Sequence, residues 1–241
     1  MSAKEINARV FRFDPSGDTE PRFDSFKVPV IKNMAVLDVV MHIQNYIDKT
    51  LAFRCSCRIG MCGSCAMYIN GRPRLACRTQ VSALGGSEIT IMPLPNLPII
   101  RDLATDMEPF FQKWKKIKPY YVGGGELEDP AVIRPDSGER ECIDQMLDCI
   151  TCGCCYGACS MVATNEDYLG PAALNRAYTL IADKRDAIRV ERLKTVGRSY
   201  GVWRCHAQFN CAEVCPKKLV PTKSIQQLKK RSFLQKLGVF K

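Results

Sequence analysis

The residues best placed to do chemistry in this chain are its cysteines, fourteen among 241 residues. Cys57, Cys62 and Cys65 form C-x4-C-x2-C, and Cys77 follows after eleven intervening residues. That spacing presents four thiolates to the two irons of a 2Fe–2S cluster. The intervening Arg58, Gly60, Gly63 and Ser64 suit a loop whose backbone N–H groups turn inward onto sulfur, because small residues let the backbone approach closely. A zinc ribbon, the competing use of grouped cysteines, prefers two C-x2-C pairs. Cys55 breaks the spacing and stays outside the ligand set, as do Cys142 and Cys154; all three read as partly buried thiols.

A second set begins at Cys149. The run Cys149-x2-Cys152-x2-Cys155-x3-Cys159 is followed by Cys205-x2-Gln208-x2-Cys211-x3-Cys215-Pro216. In paired runs of this kind the fourth cysteine of each ligates the other cluster. Cys149, Cys152, Cys155 and Cys215 then complete a 4Fe–4S site, while Cys159, Cys205 and Cys211 give three thiolates to the other. Gln208 stands where its fourth ligand would be, and an amide is a poor ligand for a soft iron corner. The expected product is a 3Fe–4S cluster, which carries electrons but offers no open iron to a substrate. Transfer, not chemistry on substrate, follows as the role.

Two kinds of domain must position these loops, in an α+β chain. Residues 5–13 and 22–30 are rich in β-branched and aromatic residues and are separated by Pro15, Ser16 and Gly17, which predicts a hairpin. Over 34–47, Val36, Leu37, Val39, Val40, Ile43, Tyr46 and Ile47 recur at helical spacing and predict one apolar face. Past the cysteine loop, 66–69 leads into Asn70-Gly71, a strong hairpin signal, and Ile89 and Ile91 alternate in a later strand. Hairpin, helix, cluster loop and strands make the β-grasp order of a plant-type ferredoxin-like domain, placed at 1–106.

From Asp102 the pattern turns helical, so 107–241 is expected to be an α-helical, bacterial-ferredoxin-like domain carrying the 4Fe–4S and 3Fe–4S clusters. Residues 119–140 are rich in Gly, Pro and charge and read as a linker; Gly123-Gly124-Gly125 lacks the GK[ST] of a phosphate loop. The run 171–182 opens with Pro, as helices do.

Thirty-five Lys and Arg against twenty-five Asp and Glu leave a formal charge of +10. Thiolate-ligated clusters carry negative charge that part of this excess offsets, and no nucleic-acid module accompanies it, so no nucleic-acid partner is expected. Residues 1–14 show neither an apolar signal core nor a transit signature, and the grouped cysteines fit a reducing compartment. The least charged long stretch, 80–100, contains Glu88, two adjacent glycines and three prolines and cannot span a bilayer.

With FRCSCRIGMCGSCAMYINGRPRLAC (53–77), PLPNLPIIRDLATDM (93–107), CITCGCCYGAC (149–159), YLGPAALNRAY (168–178) and CHAQFNCAEVCPK (205–217), the chain resembles, over nearly its whole length, the iron–sulfur subunit of succinate:quinone oxidoreductase and quinol:fumarate reductase, the complex II group. The resemblance implies a flavoprotein partner with covalent FAD, where succinate and fumarate interconvert, and a transmembrane anchor where quinone binds and where haem can reside. The N-terminal domain would face the flavin and the 3Fe–4S end the quinone. The subunit would then sit on the cytoplasmic side of a prokaryotic inner membrane, the matrix side of a mitochondrion being the alternative.

Two features bear on the quinone. Many ubiquinone-reducing members carry Cys-Pro-Ser and a nearby Trp after the position of Cys159, whereas CSMVATNEDY (159–168) has Ser160 and no Trp, which is closer to the menaquinone-linked fumarate reductases. His206, beside a quinone-side ligand, resembles the succinate-oxidising branch and either bonds quinone or packs against the cluster. His42 reads as structural. The basic run 217–241, with Leu228, Phe233, Leu234 and Leu237 interleaved, reads as a docking face for the anchor or anionic headgroups, a solvated basic helix being the alternative.

Two other classes compete. One is a subunit of a soluble thiol-linked fumarate reductase or heterodisulfide-type complex, which commonly adds CCG modules that do not occur here. The other is a basic zinc protein binding nucleic acid, which would be colourless where an iron–sulfur protein is brown.

Overall fold

The computed structural model describes residues 5–124 and 132–239. Strands β1 (Glu5–Arg12) and β2 (Arg22–Pro29) precede helix α1 (Val36–His42), which runs on into a π-type turn over Ile43–Ile47. Strands β3 (Ala66–Ile69), β4 (Arg72–Leu75), β5 (Glu88–Met92), β6 (Ile99–Arg101) and β7 (Ala104–Thr105) follow. Helices α2 (Glu108–Lys116), α3 (Gly138–Leu147), α4 (Cys154–Gly157), α5 (Ser160–Thr164), α6 (Gly170–Ala182), α7 (Arg189–Val196), α8 (Asn210–Glu213) and α9 (Pro221–Lys236) complete the order. The chain divides into two compact units, residues 1–107 with 150–158, and 108–149 with 159–241.

The first unit is built on a five-stranded sheet in the order β2-β1-β5-β3-β4, with β1 and β5 parallel and the other pairs antiparallel. A parallel pair needs a crossover, and α1 lies on it. Alternation puts Ile6, Ala8 and Val10 of β1, Met67 and Ile69 of β3, and Ile89 and Ile91 of β5 in the core with Val36, Leu37, Val39, Val40 and Ile43. The expected apolar face holds as far as Ile43. Beyond it Tyr46 is 78% exposed and Ile47 is also exposed, because the wider π turn shifts the residues that follow it off the buried stripe. The helical pattern expected from Asp102 begins later, at α2, since Ile99–Arg101 and Ala104–Thr105 pair as a small ribbon.

One buried cation ties this unit together at the end of β1. The Arg12 side chain is 4% exposed; its Nε donates to Asp102 at 3.1 Å, its Nη2 to the Thr50 hydroxyl at 2.8 Å, and its Nη1 to Asp48 and, at 3.4 Å, to Asp24. Asp102 also accepts from the N–H groups of Phe13 at 3.0 Å and Ala52 at 2.9 Å. Bonds from Thr50 and Arg12 hold the Asp48 carboxyl down at about 2, so it stays ionised and keeps the network charged. Residues 48–52, which lead into the first cysteine loop, are thereby fixed to the sheet.

The second unit is helical. Helix α6 is buried over nearly all its length and packs on α3, α7 and α9. Its other anchor is Arg192 on α7, which bonds Asp186 at 2.9 and 3.2 Å and donates to the carbonyls of Ile117 at 2.8 Å, Tyr120 at 2.6 Å and Lys118. That pairing closes the segment after α2, where the expected linker runs; residues 125–131 of it lie outside the described residues, and 138–140 already belong to α3. Among the described residues no helix is long and apolar enough to cross a membrane.

Arg12→Leu leaves Asp102 buried with only two backbone donors, so it should destabilise the first unit by about 3 kcal/mol. The shift in denaturation midpoint of the purified protein measures it; a loss below about 1 kcal/mol would place Arg12 in the class of surface ion pairs.

Candidate functional site

The eleven intervening residues between Cys65 and Cys77 resolve into a hairpin. Cys65 immediately precedes β3, Ala76 and Cys77 follow β4, and Asn70-Gly71 closes the turn with both residues at positive φ. Pairing of Ala66 with Leu75 and a 3.0 Å bond from Ala76 N–H to the Cys65 carbonyl bring the two cysteines together.

The other two thiols sit on the loop before it, which is wound around sulfur. The N–H groups of Met61 and Cys62 approach the Cys57 sulfur at 3.2 and 3.3 Å, and Cys57 N–H approaches the Cys62 sulfur at 3.5 Å. The Ser64 hydroxyl and the N–H groups of Cys57 and Ser64 pull the Cys62 thiol down to about 6. Burial pushes Cys65 the other way, so its thiolate needs the positive charge of bound iron. Residues that feed protons toward sulfur and a closed set of four thiols fit a thiolate-ligated cluster.

Gly63 shows how tightly this loop is placed. Its φ is +75°, and a Cβ there would lie 2.7 Å from Cys152 Cβ and 2.8 Å from Cys152 Cα. A cysteine of the second set therefore backs directly onto the first loop, within the first unit. Asn96 fastens that segment by donating to the carbonyls of Tyr156 at 3.1 Å and Gly157 at 3.2 Å. Cys154 is fully buried, and its thiol bonds the Cys152 sulfur and draws that thiol's pKa down. Cys155 is on the same segment, while Cys149 and Cys215 belong to the second unit.

Around Cys205 the second run repeats the backbone of the first. Thr151 and Gly153 stand two and four residues after Cys149 at φ +52° and +78°; Ala207 and Phe209 stand two and four after Cys205 at +55° and +64°. Short helices then start at corresponding places, Cys154 for α4 and Asn210 for α8, each after a left-handed N-cap. The correspondence sets Gln208 at the position of Cys152. Left-handed backbone at Thr151, Ala207 and Phe209 is disfavoured for residues with a Cβ, so the shape is imposed by what the loop holds.

Cys159, Cys205 and Cys211 line one cavity, partly open to solvent, with His206, Gln208, Phe209 and Tyr168 also on its wall. Ala207 N–H lies 3.5 Å from the Cys205 sulfur, the Thr222 hydroxyl 3.2 Å from the Cys211 sulfur, and the N–H groups of Met161 and Val162 bond Cys159. Burial pushes the thiols of Cys159 and Cys211 up. The Ser160 hydroxyl bonds the Gln208 amide oxygen, so it reaches the cavity through Gln208, whereas His206 is exposed. Three thiols, Cys211 buried and Cys159 and Cys205 half-buried, met by hydroxyl and N–H donors, fit a cluster held at three corners. Among the described residues no three His, Cys, Asp or Glu side chains converge on a point suited to a single ion.

Of the cysteines outside the spacings, Cys55 is half-buried, Cys154 wholly buried and Cys142 exposed. The expectation of a partly buried Cys142 is corrected: it lies on an outer position of α3, with the Tyr178 hydroxyl bonded to it. Sequence reasoning missed Tyr168, Thr222 and Lys229, whose ammonium donates to the Cys205 carbonyl at 2.7 Å. Lys229 thus draws part of the basic C-terminal run inward.

A 2Fe-2S iron–sulfur cluster binding domain matches residues 7–112 and a 4Fe-4S dicluster domain residues 145–219. The chain is 40% identical over 225 residues to succinate dehydrogenase (ubiquinone) iron–sulfur subunit 1, mitochondrial, of Oryza sativa subsp. japonica, covering 92% of this chain and 80% of that protein. It is 35% identical over 241 residues to the fumarate reductase iron–sulfur subunit of Haemophilus influenzae, covering 94% and 93%. A chain of the Mycobacterium smegmatis Sdh1 complex in the apo form superposes with a TM-score of 0.88 at 29% identity, covering 98% of each chain.

Gly63→Ala must both enter a left-handed conformation, at about 1–2 kcal/mol, and displace Cys152. Expected is an assembled protein short of iron, with the 2Fe–2S absorbance and resonance signals weakened. Full iron content with unchanged spectra would mean the contact carries no constraint.

Proposed function

Because this chain belongs to the family of iron–sulfur subunits of succinate dehydrogenase and fumarate reductase, we propose a residue-level assignment for the electron relay that such a subunit performs between its flavoprotein partner and membrane anchor. Cys57, Cys62, Cys65 and Cys77 hold the 2Fe–2S cluster; Cys149, Cys152, Cys155 and Cys215 hold the 4Fe–4S cluster; Cys159, Cys205 and Cys211 hold the 3Fe–4S cluster. When bound, these clusters supply one-electron steps in series, so that short transfers replace one long one. The soluble thiol-linked or heterodisulfide alternative is not favoured by these relatives.

The chain's own residues shape that relay. Inward N–H groups at 61 and 62 and the Ser64 hydroxyl offset thiolate charge at the flavin-facing end. Gly63 keeps the first loop in contact with Cys152. At the far end Tyr168, Pro171 and Ile225 form the buried part of the wall of the cysteine cavity. The observation that carries the assignment is the shared backbone of the two runs, which supports reading Gln208 as the counterpart of Cys152 and the corner without a thiolate.

His206, exposed on that cavity wall, and Ser160, joined to it through Gln208, are assigned to the quinone side. The loop after Cys159 supports menaquinone as the partner of the enzyme. The subunit is peripheral to a membrane, and we place it on the cytoplasmic side of a prokaryotic inner membrane. The exposed Phe233, Leu237 and Val239 at the basic C-terminal end support docking there.

Cys55→Ser, Cys142→Ser and Cys154→Ser, made singly, should each retain all three cluster signals. Loss of the 2Fe–2S signal in Cys55→Ser would reassign the first ligand.

Gln208→Cys completes four thiolates around the third site and should convert 3Fe–4S to 4Fe–4S, lowering its potential and slowing quinone reduction while succinate oxidation with an artificial acceptor continues. Electron paramagnetic resonance of the oxidised complex decides it, since the oxidised 3Fe–4S cluster is paramagnetic and the oxidised low-potential 4Fe–4S cluster is not. An undiminished 3Fe–4S signal in the assembled variant would remove Gln208 from the open corner.

A further inference from the structure

We propose that Tyr168 and Thr222 are positioning residues of the quinone-side cluster, whose hydroxyls donate hydrogen bonds to the thiolates of Cys205 and Cys211 and raise that cluster's reduction potential. The inference rests on the assignment of Cys159, Cys205 and Cys211 to the 3Fe–4S site.

Both side chains are 1% exposed, where a hydroxyl needs a partner. Both line the cavity that holds the three cysteines. Thr222 Oγ1 lies 3.2 Å from Cys211 Sγ, and the Tyr168 hydroxyl bonds Cys205. A cysteine that ligates iron has lost its proton, so in each pair only the hydroxyl can donate. The third ligand, Cys159, is met by the backbone N–H groups of Met161 and Val162. The two hydroxyls are also rigidly mounted. Tyr168 lies two residues before α6 and Thr222 is in the first turn of α9, and these two helices pack on each other.

Reduction brings one electron from the preceding cluster and later passes it to quinone. No bond to either hydroxyl forms or breaks, and both keep their protons. The added electron raises the negative charge on the sulfurs, and a hydrogen bond to sulfur strengthens with that charge. Donors aimed at the ligands therefore favour the reduced state, one of the means by which proteins set cluster potentials. At the last stop before a two-electron acceptor, a raised potential lets an electron wait for its successor.

The test is a redox titration of the assembled complex followed by the 3Fe–4S paramagnetic signal, in wild type, Tyr168→Phe, Thr222→Val and Thr222→Ser. Tyr168→Phe and Thr222→Val should each lower the equilibrium constant for reduction by roughly three- to tenfold, tenfold being about 59 mV downward for one electron. Thr222→Ser keeps the hydroxyl and should titrate like wild type. Wild-type potentials in both Tyr168→Phe and Thr222→Val would overturn the inference, as would an equal shift in Thr222→Ser and Thr222→Val, which would trace the effect to the methyl group. If Tyr168→Phe fails to assemble, the Val and Ser variants at 222 decide alone. A wild-type complex without any 3Fe–4S signal would instead overturn the ligand assignment itself.

Discussion

A thiolate on iron is an anion inside a protein, and the rest of this structure follows from the need to surround it with donors. Backbone N–H groups are the nearest supply, but an extended or right-handed chain does not turn several of them to one point. Left-handed residues do, and they gather at the cysteine loops: Arg58, Gly60 and Gly63 in the first, Thr151 and Gly153 in the second, Ala207 and Phe209 in the third. Glycine accepts this conformation freely. Arg58, Thr151, Ala207 and Phe209 accept it at about 1–2 kcal/mol each, a cost that sulfur bonding and the surrounding packing must offset.

The packing that does so differs between the units. In the first, the Arg12 network pins residues 48–52 to β1 and the β6–β7 turn, and the hairpin of β3 and β4 brings Cys65 to Cys77, so a sheet holds both ends of the loop. In the second, α6 and α9 frame the cavity and Lys229 grips the Cys205 carbonyl. Positive charge is drawn toward the cysteines there. Lys113 is nearly buried, its pKa lowered by that burial and by Lys116, while Asp167, Glu166 and Cys159 act in the opposite direction. Some of the formal +10 is thus internal to the function and not a surface for polyanions.

The cysteine loops were legible in the sequence because a loop is local: C-x4-C-x2-C and the two x2-x2-x3 runs are short enough for spacing to report which cysteines lie side by side. Strands announced by alternation, and the Asn70-Gly71 turn, were legible for the same reason. What depends on tertiary packing was not. Nothing in the periodicity of 34–47 distinguishes an α-helix that continues from one that opens into a π turn at Ile43 and exposes Tyr46. No pattern places 150–158 with the first unit, since the contact is Gly63 against Cys152, residues far apart in sequence. Tyr168 and Thr222 carry no motif at all, and only the pairing of α6 with α9 brings their hydroxyls to one cavity.

The two C-terminal runs show how one backbone is put to two chemical uses. Both keep left-handed residues two and four positions after their first cysteine, and both start a short helix at the next position, yet one has Cys152 where the other has Gln208. Loop shape is therefore set by the ligands that remain and by the local turn, and does not require a thiolate at that corner. Exchanging one ligand alters the charge and iron content of the site with little demand on the fold. The vacated place is taken up by a side-chain bond between Gln208 and Ser160, and the flanking helices bring Tyr168 and Thr222 to the sulfurs. On the proposed assignment, a difference in potential between these two sites would come from three side chains at one cavity, Gln208, Tyr168 and Thr222.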